Sequence, residues 1–176
     1  PKSLTLFYCG DGSVEDENEP GDYNKQIDAV TSRIHELGWR SSRFTARENK
    51  KDRETIIDNF KTGNIHAMVA IKCLDEGIDI PACKTAYILA SARNPRQFIQ
   101  RRGRILRRAE NKDFSVIHDF LVHLPISDST DQEERRLVEA ELKRVVEFSN
   151  LALNTPDTYQ TLRHLLTKYR FEHLIV

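Results

Sequence analysis

The feature that most constrains this chain is an alternation between two hydrophobic periods. Short β-rich runs occur at Leu4 to Cys9, Ser42 to Thr45, His66 to Ile71, Thr85 to Ala90 and Phe114 to Leu121. Several are apolar nearly throughout, the pattern of strands covered on both faces. Helical stretches lie between most of them. Ile27, Val30, Ile34 and Leu37 recur at helical spacing and stop at Gly38, while Ile56, Ile57 and Phe60 stop at Gly63. A glycine just past the last periodic residue suits a helix C-terminus. A third helix begins at Asn94, which can cap it, with Pro95 at its first position and Gln97 closing a capping box. This alternation predicts an α/β fold, a parallel sheet flanked by helices and joined by right-handed crossovers.

After Pro125 the strand pattern ceases. Asp131 to Ser149 reads as one amphipathic helix with Val138, Leu142, Val145 and Val146 on a face, and a second runs from about Asp157 to Arg170. The predicted organisation is a sheet domain over 1–124 and a helical extension over 125–176. A chain of 176 residues can bury such a core without disulfide or metal staples. Asp11 to Asp22 carries six acids with Gly and Pro, and reads as a mobile surface loop with a connecting role.

Lys+Arg and Asp+Glu both number 27, so bulk charge identifies no partner. Local charge does more. Arg93 to Lys112 holds eight Lys or Arg and one acid, Glu110. Within it Gln100, Gly103, Arg104 and Arg107 are spaced i, i+3, i+4, i+7, which places them on one face of a helix. A mid-helix glycine costs about 1 kcal/mol relative to alanine. Close approach of a ligand or another backbone is the usual compensation. Two arginines one turn apart, beside a glutamine and a bare backbone, can grip a polyphosphate through bidentate, permanently charged forks. A solvated basic face is the competing reading, and it suits Arg101, Arg102 and Arg108. A second segment, Ala70 to Pro81 (AIKCLDEGIDIP), follows an apolar strand. Gly77 permits a tight turn, and Asp79 just after it can take a ribose hydroxyl, pair with an arginine, or simply cap a plain connection. Lys72 meets either a nucleic-acid phosphate or solvent.

Some chemistry is missing. No GxxxxGK followed by Ser or Thr occurs, and no D-E-x-D or D-E-x-H box. Cys9, Cys73 and Cys83 form no CxxC pair, which argues against a disulfide framework or zinc knuckle and for a reducing, intracellular setting. The six histidines show no metal-ligand spacing, so no metal residues are assigned. No apolar run reaches the length of a membrane span and no signal peptide opens the chain. The opening Pro1 suggests a segment of a longer polypeptide.

Taken together the segments resemble a known family. QRRGRILR (Gln100 to Arg107) is similar to motif VI of superfamily 2 helicases, and AIKCLDEGIDIP to their motif V. LTLFYCG sits where motif IV belongs, and FTARENKKDRETIIDNFKTG resembles the stretch between motifs IV and V. Over roughly residues 3–124 the chain therefore resembles the second RecA-like lobe of such an enzyme. The resemblance implies catalytic roles for Arg104 and Arg107, which would reach the γ-phosphate of ATP bound to the other lobe, with Arg107 the finger proper. It places Gln100 near that phosphate and its water, and Gly103, Gly77 and Asp79 against the nucleotide, with Asp79 toward the ribose. Thr45, Ile71 and Lys72 lie where such lobes touch nucleic acid. Ile71 replaces a threonine found in many relatives, so a contact there must come from backbone N–H groups or Lys72.

The resemblance further implies ATP as ligand, Mg2+ held by ligands on an N-terminal lobe outside this sequence, and nucleic acid as partner. Gln100 stands where DEAD-box RNA helicases carry histidine, and the two motifs look closest to excision-repair, recombination and restriction-enzyme helicases, so DNA is favoured over RNA. In a bacterium the protein would be cytoplasmic or nucleoid-associated. Without a phosphate cradle and metal carboxylates the chain alone should not hydrolyse ATP. The alternative is a non-catalytic nucleic-acid-binding or scaffold module derived from such a lobe. Nothing in the sequence specifies an oligomeric state.

Overall fold

A computed structural model describes residues 4–10, 12–15, 23–71, 83–89, 103, 105, 112–121 and 132–175. The chain divides into two compact units, Pro1–Phe120 and Leu121–Val176.

The first unit is built on a five-stranded parallel sheet. Its strands are β1 (Thr5–Tyr8), β4 (Ser41–Phe44), β5 (Ala67–Ala70), β6 (Thr85–Ile88) and β7 (Val116–Asp119), in the spatial order β4-β5-β1-β6-β7. Every adjacent pair is parallel; Thr5, for example, sits opposite Ala67 on one side and Thr85 on the other. The uniformly apolar β5 is buried at all four residues, as its run suggests. The outer strand β7 alternates between exposed and half-buried residues, the pattern of an edge strand with one face covered. Phe7, Tyr87 and His118 occupy one register row, and their rings stack across β1, β6 and β7 at centroid distances of 4.8 and 4.4 Å.

Helix α1 (Gln26–Glu36) links β1 to β4, and α2 (Lys50–Lys61) links β4 to β5. Ile27 and Ile34 of α1 form a buried cluster with Cys9, Ala67 and Val69, flanked by Trp39 and Ile71. The crossover β1-α1-β4 runs one way across the sheet and β4-α2-β5 runs back. Right-handed connections then set α2 on the opposite face, where its Phe60 is fully buried. Both glycine stops adopt positive φ, +70° at Gly38 and +74° at Gly63. After α1 the Gly38 N–H donates to the His35 carbonyl at 2.8 Å and the Trp39 N–H to the Ile34 carbonyl at 3.1 Å, the paired bonds of a Schellman ending. Leu37, expected on the apolar face, is instead the C-cap residue and 74% exposed. The cap residue lies past the last helical turn, so the periodicity no longer governs its direction.

A second correction concerns the acidic segment. Ser13–Glu15 forms a strand, β2, paired antiparallel with β3 (Tyr23–Lys25) between β1 and α1. Acidic composition identifies a solvated segment but does not prevent its backbone from pairing. The remainder, 16–22, lies outside the described residues, as does residue 11.

The second unit contains α3 (Gln132–Ser149), α4 (Thr155–Tyr169) and a terminal 3-10 turn, Glu172–Ile175. Val138, Leu142 and Val146 of α3 pack against Leu162, Leu165, Leu166 and Tyr169 of α4, with Phe171 beyond it, and Val145 is partly buried beside them. No described helix is long and apolar enough to cross a membrane.

Candidate nucleotide and nucleic-acid site

Because all five strands run parallel, their carboxyl ends share one edge, and the loops that follow them form the natural ligand side of such a sheet. Three of the residues singled out from the sequence are described, and two of those stand on this edge.

Thr45 immediately follows β4. Its backbone N–H donates to Glu48 Oε2 at 2.6 Å and its hydroxyl donates to the same oxygen at 2.8 Å. The hydroxyl in turn accepts the Arg47 N–H at 3.1 Å. Arg53 Nη2 donates to the Thr45 carbonyl at 3.1 Å, with its guanidinium carbon 5.9 Å from the Phe44 ring centroid. Asn49 then caps α2 by accepting the Asp52 N–H at 2.9 Å. Arg47, Lys50 and Lys51 are exposed in and just after this turn, interleaved with Glu48, Asp52 and Glu54. Sequence reasoning quoted this stretch without singling out Glu48 or Arg53. The signal was present for Glu48: threonine followed three residues later by glutamate is the spacing of a capping box, in which the carboxylate reaches back.

Ile71 follows β5. Its side chain packs against the Cys9, Ile27, Ile34, Ala67 and Val69 cluster. Its N–H donates to the Phe44 carbonyl at 3.3 Å.

Gly103 is helical and exposed, and a Cβ built on it meets nothing within 4 Å. Ile105, two residues on, is helical and 1% exposed. Two residues turn a helix by about 200°, so the buried and bare sides lie nearly opposite. The Ile105 carbonyl accepts Lys112 Nζ at 2.5 Å and the Ser115 hydroxyl at 3.0 Å, which ties this helical segment to the approach of β7. Burial pushes the Lys112 ammonium below its ordinary range, and the neighbouring Cys83 acts the other way. Gln100, Arg104, Arg107, Gly77, Asp79 and Lys72 lie outside the described residues. Among the described residues, no group of three or more His, Cys, Asp or Glu could hold a metal ion.

Comparison with known proteins gives the family. Residues 22–109, half of the chain, match the helicase conserved C-terminal domain. The chain is 31% identical over 97 residues to DNA 3'-5' translocase XPB2 of Sulfurisphaera tokodaii, covering 52% of this chain and 22% of that protein. It is 28% identical over 98 residues to Endoribonuclease Dicer homolog 2b of Oryza sativa subsp. japonica, covering 52% of this chain and 7% of that protein. It thus spans a minor part of either relative. The yeast DEAD-box splicing factor Prp28 shares its fold, with a TM-score of 0.56 at 15% identity over 90% of this chain and 31% of that one. A parallel sheet in this order, its motif segments following the strands in sequence, and a domain match across half the length lead to one assignment: the chain belongs to the helicase conserved C-terminal domain family, as the RecA-like second lobe of a superfamily 2 helicase.

Proposed function

We propose that this lobe completes an ATP site whose phosphate cradle and Mg2+ ligands reside on an N-terminal RecA-like lobe, and that it drives translocation along DNA. The observation that carries the reading is Gly103. It sits in a helix, exposed, with nothing within 4 Å of where a Cβ would be, so no packing among the described residues accounts for a residue that costs about 1 kcal/mol there. On an ideal helical wheel Gln100 and Arg107 fall on the Gly103 side, opposite Ile105, while Arg104 lies at the border, about 100° from each. A nucleotide brought up by the opposing lobe would meet the stripe with little in its way. Arg107 stabilises charge on the transferring phosphoryl group, Arg104 holds the γ-phosphate, and Gln100 orients the attacking water. Gly77 lets the chain approach the nucleotide, and Asp79 accepts from the ribose.

Closure brings the arginines to the triphosphate and hydrolysis releases them, while Thr45 and Lys72 hold the nucleic-acid backbone. One relative is by name a DNA translocase and another an endoribonuclease. The choice of DNA rests on the QRRGRILR sequence, with Gln100 in place of histidine. The functional boundary lies near Pro125, with 125–176 an appended helical module.

In the full-length polypeptide Arg107→Ala should lower ATP turnover by about 10³–10⁵-fold, the usual value of an arginine finger, with ATP affinity little changed. Near-normal turnover would remove the finger assignment. The 176-residue chain alone should show no ATPase activity with or without DNA.

A further inference from the structure

The Thr45 turn already holds an anion, and it is the chain's own. Both Thr45 donors, N–H and hydroxyl, converge on Glu48 Oε2 at 2.6 and 2.8 Å. A hydroxyl has one proton, so this one is committed. Beside it stands Arg53, half-buried, with one nitrogen on the Thr45 carbonyl. Its Nε–H is buried without a hydrogen-bond partner, and it makes no ion pair among the described residues. Arg47, Lys50 and Lys51 add exposed positive charge; Asp52 and Glu54 are the other acids nearby, both exposed. Arg47, Lys50, Lys51 and Arg53 outnumber Glu48, Asp52 and Glu54 by one charge, and the two Thr45 donors are occupied by one internal carboxylate.

We propose that Glu48 is a positioning residue that sets the affinity of this lobe for a nucleic-acid backbone, by occupying the two Thr45 donors that a phosphodiester oxygen would otherwise take. The inference rests on the reading of Thr45 as a backbone contact. A carboxylate and a phosphodiester are both singly charged oxyanions, and these donors serve one oxygen at a time. For phosphate to enter, Glu48 must release two charge-assisted hydrogen bonds and swing away. Until it does, its charge repels the incoming phosphate. Glu48→Gln keeps an acceptor of the same shape, weakens its hold and removes the repulsion.

The test uses the 176-residue chain and a fluorescein-labelled oligodeoxythymidine, read by anisotropy across a salt series. Glu48→Gln should bind about tenfold more tightly than the parent at low salt, about 1.4 kcal/mol, with the gain shrinking as salt rises. Adding Thr45→Val should abolish the gain, and adding Thr45→Ser should preserve it. Glu54→Gln removes one nearby charge without touching Thr45 and should change affinity far less. If Glu48→Gln binds no better than the parent while Thr45→Val binds worse, the Glu48 proposal fails and the Thr45 contact stands. An equal gain from Glu54→Gln would reduce the effect to net charge and also overturn the proposal. If Thr45→Val leaves affinity unchanged in both backgrounds, the Thr45 contact and the proposal fall together. Absence of binding by every variant would end both as well.

Discussion

Replacing Gly103 with alanine should separate what this lobe needs to fold from what it needs to work. The glycine is helical and exposed, its φ is not positive, and an added Cβ meets nothing within 4 Å. Alanine there introduces no clash and removes the entropic penalty of glycine in a helix, a gain of about 0.5–1 kcal/mol. The unit that carries Gly103 is Pro1–Phe120. At an unfolding entropy of about 2.1 cal/mol/K per residue, a gain of about 1 kcal/mol raises the melting temperature of a unit that size by roughly 4 °C. Thermal denaturation of the 176-residue chain followed by circular dichroism measures it. In the full-length polypeptide the same methyl group should lower ATP turnover if, as proposed, the bare backbone meets an approaching nucleotide. A melting temperature that stays put or falls would mean the bare side is packed. A gain in stability with normal turnover would mean that no close approach occurs at Gly103, and the main support for the shared ATP site would be lost.

Two further outcomes follow from local geometry. Arg170 ends α4 at φ +58°, with its N–H on the Thr167 carbonyl at 3.2 Å and the Phe171 N–H on the Leu166 carbonyl at 2.8 Å; this is the left-handed position that Gly38 fills after α1. Arg170→Gly should therefore stabilise the helical unit by about 0.5–1 kcal/mol, and an unchanged or lowered urea midpoint would refute the assignment. Burial raises the Cys9 and Cys83 thiols from 9.0 to about 12, with Lys112 and a backbone hydrogen bond opposing the rise at Cys83. In the native chain at pH 8, iodoacetamide should spare both while labelling them in denaturant, as read by peptide mass spectrometry, and prompt native labelling would contradict their burial. The sign is that of a raised folded pKa: the thiols' contribution is complete below pH 9 and is lost as pH climbs toward 12.

The sheet was legible because its strands advertise themselves. A parallel strand buried on both faces is apolar at consecutive positions, and the β5 run needed no partner information to be read. Helix ends were legible where glycine marks them, since Gly38 and Gly63 take a conformation that few other residues accept. Arg170 does the same work without glycine, and nothing in its identity announces it. The β2–β3 hairpin escaped because acids specify solvation, not pairing. At the site, location was readable and occupancy was not. Thr45 closes a strand run in the sequence and immediately follows β4 in the structure, but its hydroxyl's engagement by Glu48 depends on a turn geometry that apolar periodicity does not encode. At Ile71 a phosphate contact was expected to come from backbone N–H groups or Lys72; the Ile71 N–H bonds the Phe44 carbonyl, a long-range partner that local spacing cannot reveal, and Lys72 lies outside the described residues.

The fold itself explains how an ATP site and a nucleic-acid site on this lobe would be linked. Thr45 extends from β4 at one side of the sheet, while the segment containing Gly103 connects β6 to β7 at the other. Between them β5, β1 and β6 are paired residue by residue, and β5 is buried throughout. Among the described residues this block has no soft element along which one end could shift and leave the other behind, since a close-packed interior transmits displacement instead of absorbing it. Under the proposed function, displacing the β6 end of the sheet therefore carries Thr45 with it. No chain of side-chain rearrangements is required between the two ends. On the proposed function the conversion of hydrolysis into movement would lie in the displacement of the whole lobe, and the residues that tune it would be those that fix its grip at either edge: Arg104 and Arg107 toward the nucleotide, and Glu48 over the Thr45 donors toward the strand.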